Sequence, residues 1–244
     1  MDVKSSENGF RAMNRVESEL KELLRKGASL IGFADLGQIP ERPRGLFKYA
    51  VSIAVALNPK IVSAIYNGPT LGYYKEYKRA NELLSVLGTR AEDILKDRGY
   101  GAIALDPTTE DFDADTLRTD LPHKTAATRA GLGWIGKNAL LITKEYGSAL
   151  RLTTVLTDAR LKTSNPINSS NCGRCRICVD VCPGRAPHGD NWSVGMDRDL
   201  FFSAHSCYKA AGEYSKKLGV ESAICGICIS ACPWTKRYVG RKIY

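Results

Sequence analysis

Apolar positions along the chain recur with two periods, one helical and one alternating, and these separate candidate helices from candidate strands. Met13, Val16, Leu20 and Leu23/Leu24 stand at helical spacing within Arg11–Lys26 and predict an amphipathic helix ended by Gly27. Leu30–Ala34 is a short apolar run and predicts a strand. Tyr49–Leu57, reading YAVSIAVAL, is apolar, β-branched and short, which predicts a buried strand stopped by Asn58–Pro59. Tyr74, Tyr77, Ala80/Asn81, Leu83/Leu84, Leu87, Ala91 and Ile94/Leu95 form one stripe, the mark of a long helix closed by Gly99. Ala102–Leu105 predicts a further strand, and His123–Arg129 a short helix ended by Gly131. Ala139–Thr143 and Leu150–Asp158 predict a hairpin joined through Glu145–Ser148. Between these elements, Asp106–Asp120 is polar and acidic and predicts a surface loop. Its alternating Asp111, Asp113 and Asp115 lack the glycine and closing glutamate of a calcium loop.

Helices and strands alternate up to about residue 160, so residues 1–162 predict an α/β or α+β domain. Thr163–Ser170 (TSNPINSS) reads as a linker, and residues 163–244 as a second, cysteine-rich module. The chain of 244 residues, 43% hydrophobic and 25% charged, has globular proportions. Its longest apolar run, Tyr49 to Leu57, falls short of the roughly 20 residues that span a bilayer. The first 27 residues are charged throughout, with no apolar signal core, so a cytoplasmic protein without a membrane partner is expected. The net charge of +9 describes a basic surface and speaks to association, not fold. No block of five basic residues marks a nucleic-acid site; the densest stretch is Lys236–Arg237 with Arg241–Lys242.

All eight cysteines fall between Cys172 and Cys232. Without an export signal, such clustering favours metal ligation over disulfides. Cys172, Cys175, Cys178 and Cys182 followed by Pro183 have the C-x2-C-x2-C-x3-C-P spacing of two-cluster bacterial ferredoxins. Three close thiolates on one turn can hold three irons of a cubane. The fourth cysteine is expected to begin a short helix and reach the neighbouring cluster. Cys225, Cys228 and Cys232 followed by Pro233 repeat the pattern with one cysteine missing, since Ser222 stands in its place. Cys207 is the candidate left to supply that thiolate. The assignment is Cys172, Cys175, Cys178 and Cys232 for one 4Fe–4S cluster, and Cys207, Cys225, Cys228 and Cys182 for the other. Zinc, the competing reading, needs neither a third close cysteine nor the proline.

Gly131, Gly133 and Gly136 with Trp134 and Ile135 match G-x-G-x-x-G. A helix-like segment precedes this run and a strand follows, the reverse of a dinucleotide fingerprint. The glycines instead suggest a backbone that lets a flat, bulky cofactor approach, or close packing against the clusters. Lys137 and Asn138 are candidate polar contacts to it, with a surface cation as the plain alternative for Lys137. Lys124 joins this candidate cofactor-binding set. His123 and Asp120, just upstream, are candidate proton donors, and a helix-start histidine is the plain alternative for His123.

Four segments taken together, Gly27–Phe33, His123–Asn138, Cys172–Pro183 and Cys225–Trp234, resemble epoxyqueuosine reductases in sequence and order. The resemblance implies a corrinoid-binding N-terminal domain of nitroreductase-like architecture fused to a ferredoxin-like double-cluster module. A similar plan is found in the core of reductive dehalogenases. It implies a cobalamin cofactor and a corrinoid-dependent reductase fed by a ferredoxin- or flavodoxin-type donor, acting on a small-molecule or corrinoid substrate. An electron-transfer protein without substrate chemistry is the alternative. The family's proton-donating aspartate aligns with Leu117, so Asp120 serves only with a shift. The family's tRNA-associated helical-repeat domain has no counterpart before Tyr244, so only weak, salt-sensitive tRNA binding is expected.

Overall fold

The computed structural model describes residues 13–108 and 112–243, leaving aside the side chains of Pro43 and Ile243. Helix α1 runs through residues 13–21 and tightens into a 3-10 turn, Glu22–Lys26, that Gly27 ends in a left-handed conformation. Arg11, the expected first helical residue, lies outside the described residues. Four strands form one antiparallel sheet in the order β1-β2-β6-β3: β1 (Leu30–Asp35), β2 (Tyr49–Ala56), β6 (Leu150–Thr157) and β3 (Ala102–Leu105). The architecture is mixed α/β with a sheet that is antiparallel throughout.

Strand β2 is central and buried from Ala50 to Val55, because helices cover both sheet faces. Alternation sends Val51, Ile53 and Val55 into one core with Leu84, Leu87, Ala91 and Leu95 of helix α4 (Leu71–Asp97). Ala50 and Leu156 turn to the other face, beside Leu121 and Ala130, which flank helix α5 (His123–Arg129). Thr70 begins α4 by accepting a bond from the Tyr73 N–H at 3.1 Å. Short helices α2 (Glu41–Arg44) and α3 (Pro59–Ser63) connect these elements, with Asn58 capping α3.

The expected hairpin is not formed. Leu141–Ile142 (β5) pairs with Trp134–Ile135 (β4) in a separate two-stranded ladder, whereas β6 pairs with β2 and β3. Burial between the two helical layers decides the partners of β6. Thr143 and Gly147 close a local turn that points β5 away from it.

Among the described residues beyond 162 there is no strand, only helices α6 (Ile177–Asp180), α7 (Arg198–Phe201), α8 (Ala204–Leu218), α9 (Ile227–Ala231) and α10 (Pro233–Ile243) joined by turns. The Thr163–Ser170 segment has no helix or strand but is tied down: Arg129 donates to Ile167 O at 2.8 Å and to Asn168 Oδ1 at 2.6 Å. Helices α6 and α9 lie together, and α10 returns to α3. Tyr238 of α10 donates its hydroxyl to Leu57 O at 2.9 Å, and Ile224, Ile229 and Tyr238 share the α4 core. Among the described residues no helix is long and apolar enough to cross a membrane.

Candidate functional site

Two short helices fix the thiols. Cys172 and Cys175 sit half-buried on a turn whose Arg174 and Arg176 are exposed, and Cys178 lies within α6. Cys182 follows the α6 cap, and Cys232 caps the C-terminus of α9. Each fourth cysteine therefore closes its helix, contrary to the expectation that it begins one. The next proline stands where no N–H is needed, as Pro233 does at the start of α10. Cys225 and Cys228 flank the start of α9, and Cys207 projects from the first turn of α8, a helix begun by Ser203.

The thiols gather in two neighbourhoods. Burial pushes Cys178 up to about 12, with Cys172, Cys232 and Cys175 adding to it. Cys207 is pushed up to about 11, by burial first and then by Cys182 and Cys225. Burial also raises Cys228, with Cys207 and Cys225 as its leading neighbours. Crowded sulfurs in an apolar setting hold protons until cationic iron replaces them. Among the described residues no three His, Cys, Asp or Glu side chains close on a single metal ion.

A cavity of about 950 Å³ separates this module from the sheet. This is the upper end of the roughly 300–1,000 Å³ typical of ligand sites. Its wall includes Cys182, Cys207, Cys225 and Cys228, and none of Cys172, Cys175, Cys178 or Cys232. The facing wall carries Tyr73, Tyr77, Asp120, His123, Lys124, Asn138 and Arg151. Arg151 lies 4.5 Å above the Tyr77 ring and donates to Asn81 Oδ1 at 2.8 Å. Sequence reasoning missed Tyr73 and Arg151: the tyrosine stands just before the apolar stripe that marks α4, and the arginine is one polar position of a strand.

His123 uses both ring nitrogens within the protein. Nε2 donates to Asp106 O at 2.9 Å, so Nδ1 accepts from the Thr154 hydroxyl at 3.0 Å. Burial holds its pKa below the ordinary histidine value. Lys124 donates to Ala139 O at 2.8 Å, and its pKa falls to about 8, through burial first and then Arg198 and Arg118. Asp120 is exposed at the cavity, whereas Leu117 does not line it. Leu117 has φ 52°, and its carbonyl accepts from Arg198 at 2.7 Å.

The glycine run requires a correction. Of Gly131, Gly133, Trp134, Ile135, Gly136, Lys137 and Asn138, only Asn138 lines the cavity. A Cβ on Gly133 would collide with the Ile142 carbonyl, and one on Gly136 with the Ile142 side chain. One on Gly131 would meet Asn165 O at 2.8 Å. These glycines let the backbone pack closely against the β4–β5 ladder and the linker. Trp134, Ile135, Lys137 and Asn138 are all buried. Asn138 Oδ1 accepts from Leu140 N at 3.3 Å, while its Nδ2 is buried without a partner.

Residues 171–235 match the 4Fe-4S double cluster binding domain family. An epoxyqueuosine reductase of Lactococcus garvieae (strain Lg2) is 37% identical over 110 residues, 45% of this chain and 31% of that protein. The matched segment thus spans about a third of that relative's length. Among solved structures, an epoxyqueuosine reductase with an epoxyqueuosine-modified tRNA stem loop superposes with a TM-score of 0.58 at 23% identity, covering 92% of this chain and 66% of that one. A reductive dehalogenase, described with a mechanism for B12-dependent dehalogenation, superposes with a TM-score of 0.66 at 17% identity, covering 90% of this chain and 31% of that one. The chain is thus similar in sequence to epoxyqueuosine reductases over about half its length, shares their fold, and matches the 4Fe-4S double cluster binding domain over residues 171–235.

Proposed function

We propose that the protein is a corrinoid-dependent reductase in which residues 163–244 form a ferredoxin-like electron relay, and residues 1–162 a nitroreductase-like domain holding most of the cofactor cavity. The observation that carries this reading is the asymmetry of the thiols: one set of four lines the cavity, and the other does not. Cys172, Cys175, Cys178 and Cys232 would hold the cluster that receives electrons from a ferredoxin- or flavodoxin-type donor. Cys182, Cys207, Cys225 and Cys228 would hold the cluster beside the cavity. When bound, the clusters carry single electrons at low potential, and a corrinoid supplies a cobalt centre for reductive chemistry.

The chain's own residues bind, orient and protonate. The apolar part of the cavity wall would exclude water from a bound cofactor. Among the described residues His123 is the one histidine on the cavity wall, and both its ring nitrogens are engaged within the protein. His123 therefore positions the wall. Asp120 at the rim is the group free to deliver a proton to substrate. A tRNA-borne substrate is a second reading, favoured by the net charge of +9 and by the fold shared with a reductase solved with a modified tRNA stem loop.

Anaerobic protein with both clusters is incubated with cobalamin and passed over a gel-filtration column. Corrin absorbance co-eluting with the protein supports the reading. Full clusters without retained corrin would replace it with an electron-transfer protein that lacks substrate chemistry.

A further inference from the structure

Trp134 is 1% exposed, and its indole Nε1–H is buried with no hydrogen-bond partner. It sits in β4 and belongs to an apolar core that also contains Cys232 and, at its edge, Cys172 and Trp234. The two indoles meet edge to face, with centroids 5.1 Å apart at 77°. An unmatched buried donor is costly, so native proteins rarely keep one without an acceptor. No cysteine sulfur accepts from it, so the acceptors a double-cluster module would add are the inorganic sulfides. The Cys232 sulfur already receives hydrogen bonds from the Trp234 and Thr235 backbone.

We infer that the Trp134 Nε1–H donates a hydrogen bond to a sulfur of the cluster held by Cys232, and so raises that cluster's reduction potential. The inference rests on the double-cluster reading but not on a corrinoid. Adding an electron makes the cluster more negative, and a donor aimed at a sulfur stabilises the reduced state more than the oxidised one. Trp134 is therefore a positioning residue that tunes the relay, and it is neither a ligand nor a contact to substrate. The competing arrangement is an N–H aimed at the face of the Trp234 ring.

The test compares holoprotein and Trp134→Phe by anaerobic redox titration followed by electron paramagnetic resonance. Iron and sulfide analysis separately establishes that both clusters are present, so loss of a cluster, which would count against the double-cluster reading, is told apart from loss of tuning. The expected result is a potential for one cluster that moves negative by a roughly tenfold change in its reduction equilibrium, about 59 mV for one electron. An unchanged potential overturns the inference. So does a positive shift, which would report water entering the vacated space. Should the variant fail to fold, wild-type protein carrying indole-15N tryptophan gives an independent reading. Electron–nuclear double resonance of its reduced clusters should show a 15N coupling that persists in Trp234→Phe. Absence of the coupling, or its loss in Trp234→Phe, overturns the inference.

Discussion

Gly133→Ala separates two roles for the glycine run, packing and cofactor approach. The new methyl would overlap the Ile142 carbonyl oxygen and lie 2.9 Å from its carbonyl carbon. That carbonyl belongs to the β4–β5 ladder, in which Trp134 pairs with Ile142, so relief requires backbone movement and not a rotamer change. Overpacking of about 1–3 kcal/mol, together with one or two weakened ladder bonds of about 1 kcal/mol each, gives a loss of roughly 2–5 kcal/mol. At a typical urea dependence of about 2 kcal/mol per molar, the unfolding midpoint should fall by roughly 1–2.5 M. Gly212→Ala is the control: it lies in α8 with nothing within 4 Å of the added carbon, and should gain about 0.5–1 kcal/mol. Both variants are unfolded anaerobically with clusters in place, and midpoints are read by circular dichroism. A Gly133→Ala protein with the wild-type midpoint that fails only to retain corrin would refute the packing account.

Three further outcomes are expected. Cys182→Ser should remove the cluster of Cys207, Cys225 and Cys228, and Cys232→Ser the cluster of Cys172, Cys175 and Cys178; each variant should keep about four of about eight irons, and damage confined to the mutated motif's own cysteines would contradict crossed ligation. Asn138→Asp keeps the oxygen that accepts from Leu140 but puts a carboxylate where the residue is only 3% exposed and the amide nitrogen has no partner, so the urea midpoint should fall, and a wild-type midpoint would contradict this burial. Because the folded-state pKa of His123 is depressed, the unfolded chain binds its proton first as pH falls below about 6.5, and stability drops in that window. His123→Gln should flatten the difference between midpoints at pH 7.5 and 5.5, and an unchanged difference would show that another group titrates there.

Local pattern carried much of this protein. The stripe of α4, the apolar run of β2 and the short strand β3 are visible in sequence because each buries a face set by its own periodicity. The close cysteine triplets are equally local, since a cluster's corners must be reached from a single turn. Cys207 emerged only by elimination, because a residue on the separate helix α8 carries no spacing signal for Cys182 and Cys225, which it meets through space. Tertiary structure decided the rest. It drew β6 out of an expected hairpin into the centre of the sheet, because burial between two helical layers outweighs a nearby partner in sequence. It turned the glycines of residues 131–136 inward against Ile142 and Asn165, where their missing side chains make room for backbone. It also set Tyr73, Arg151 and Asn138 opposite Cys182, Cys207, Cys225 and Cys228 across one cavity. No stretch of sequence contains that cavity, because its walls come from segments far apart in the chain that meet only when the cysteine module docks against the sheet domain.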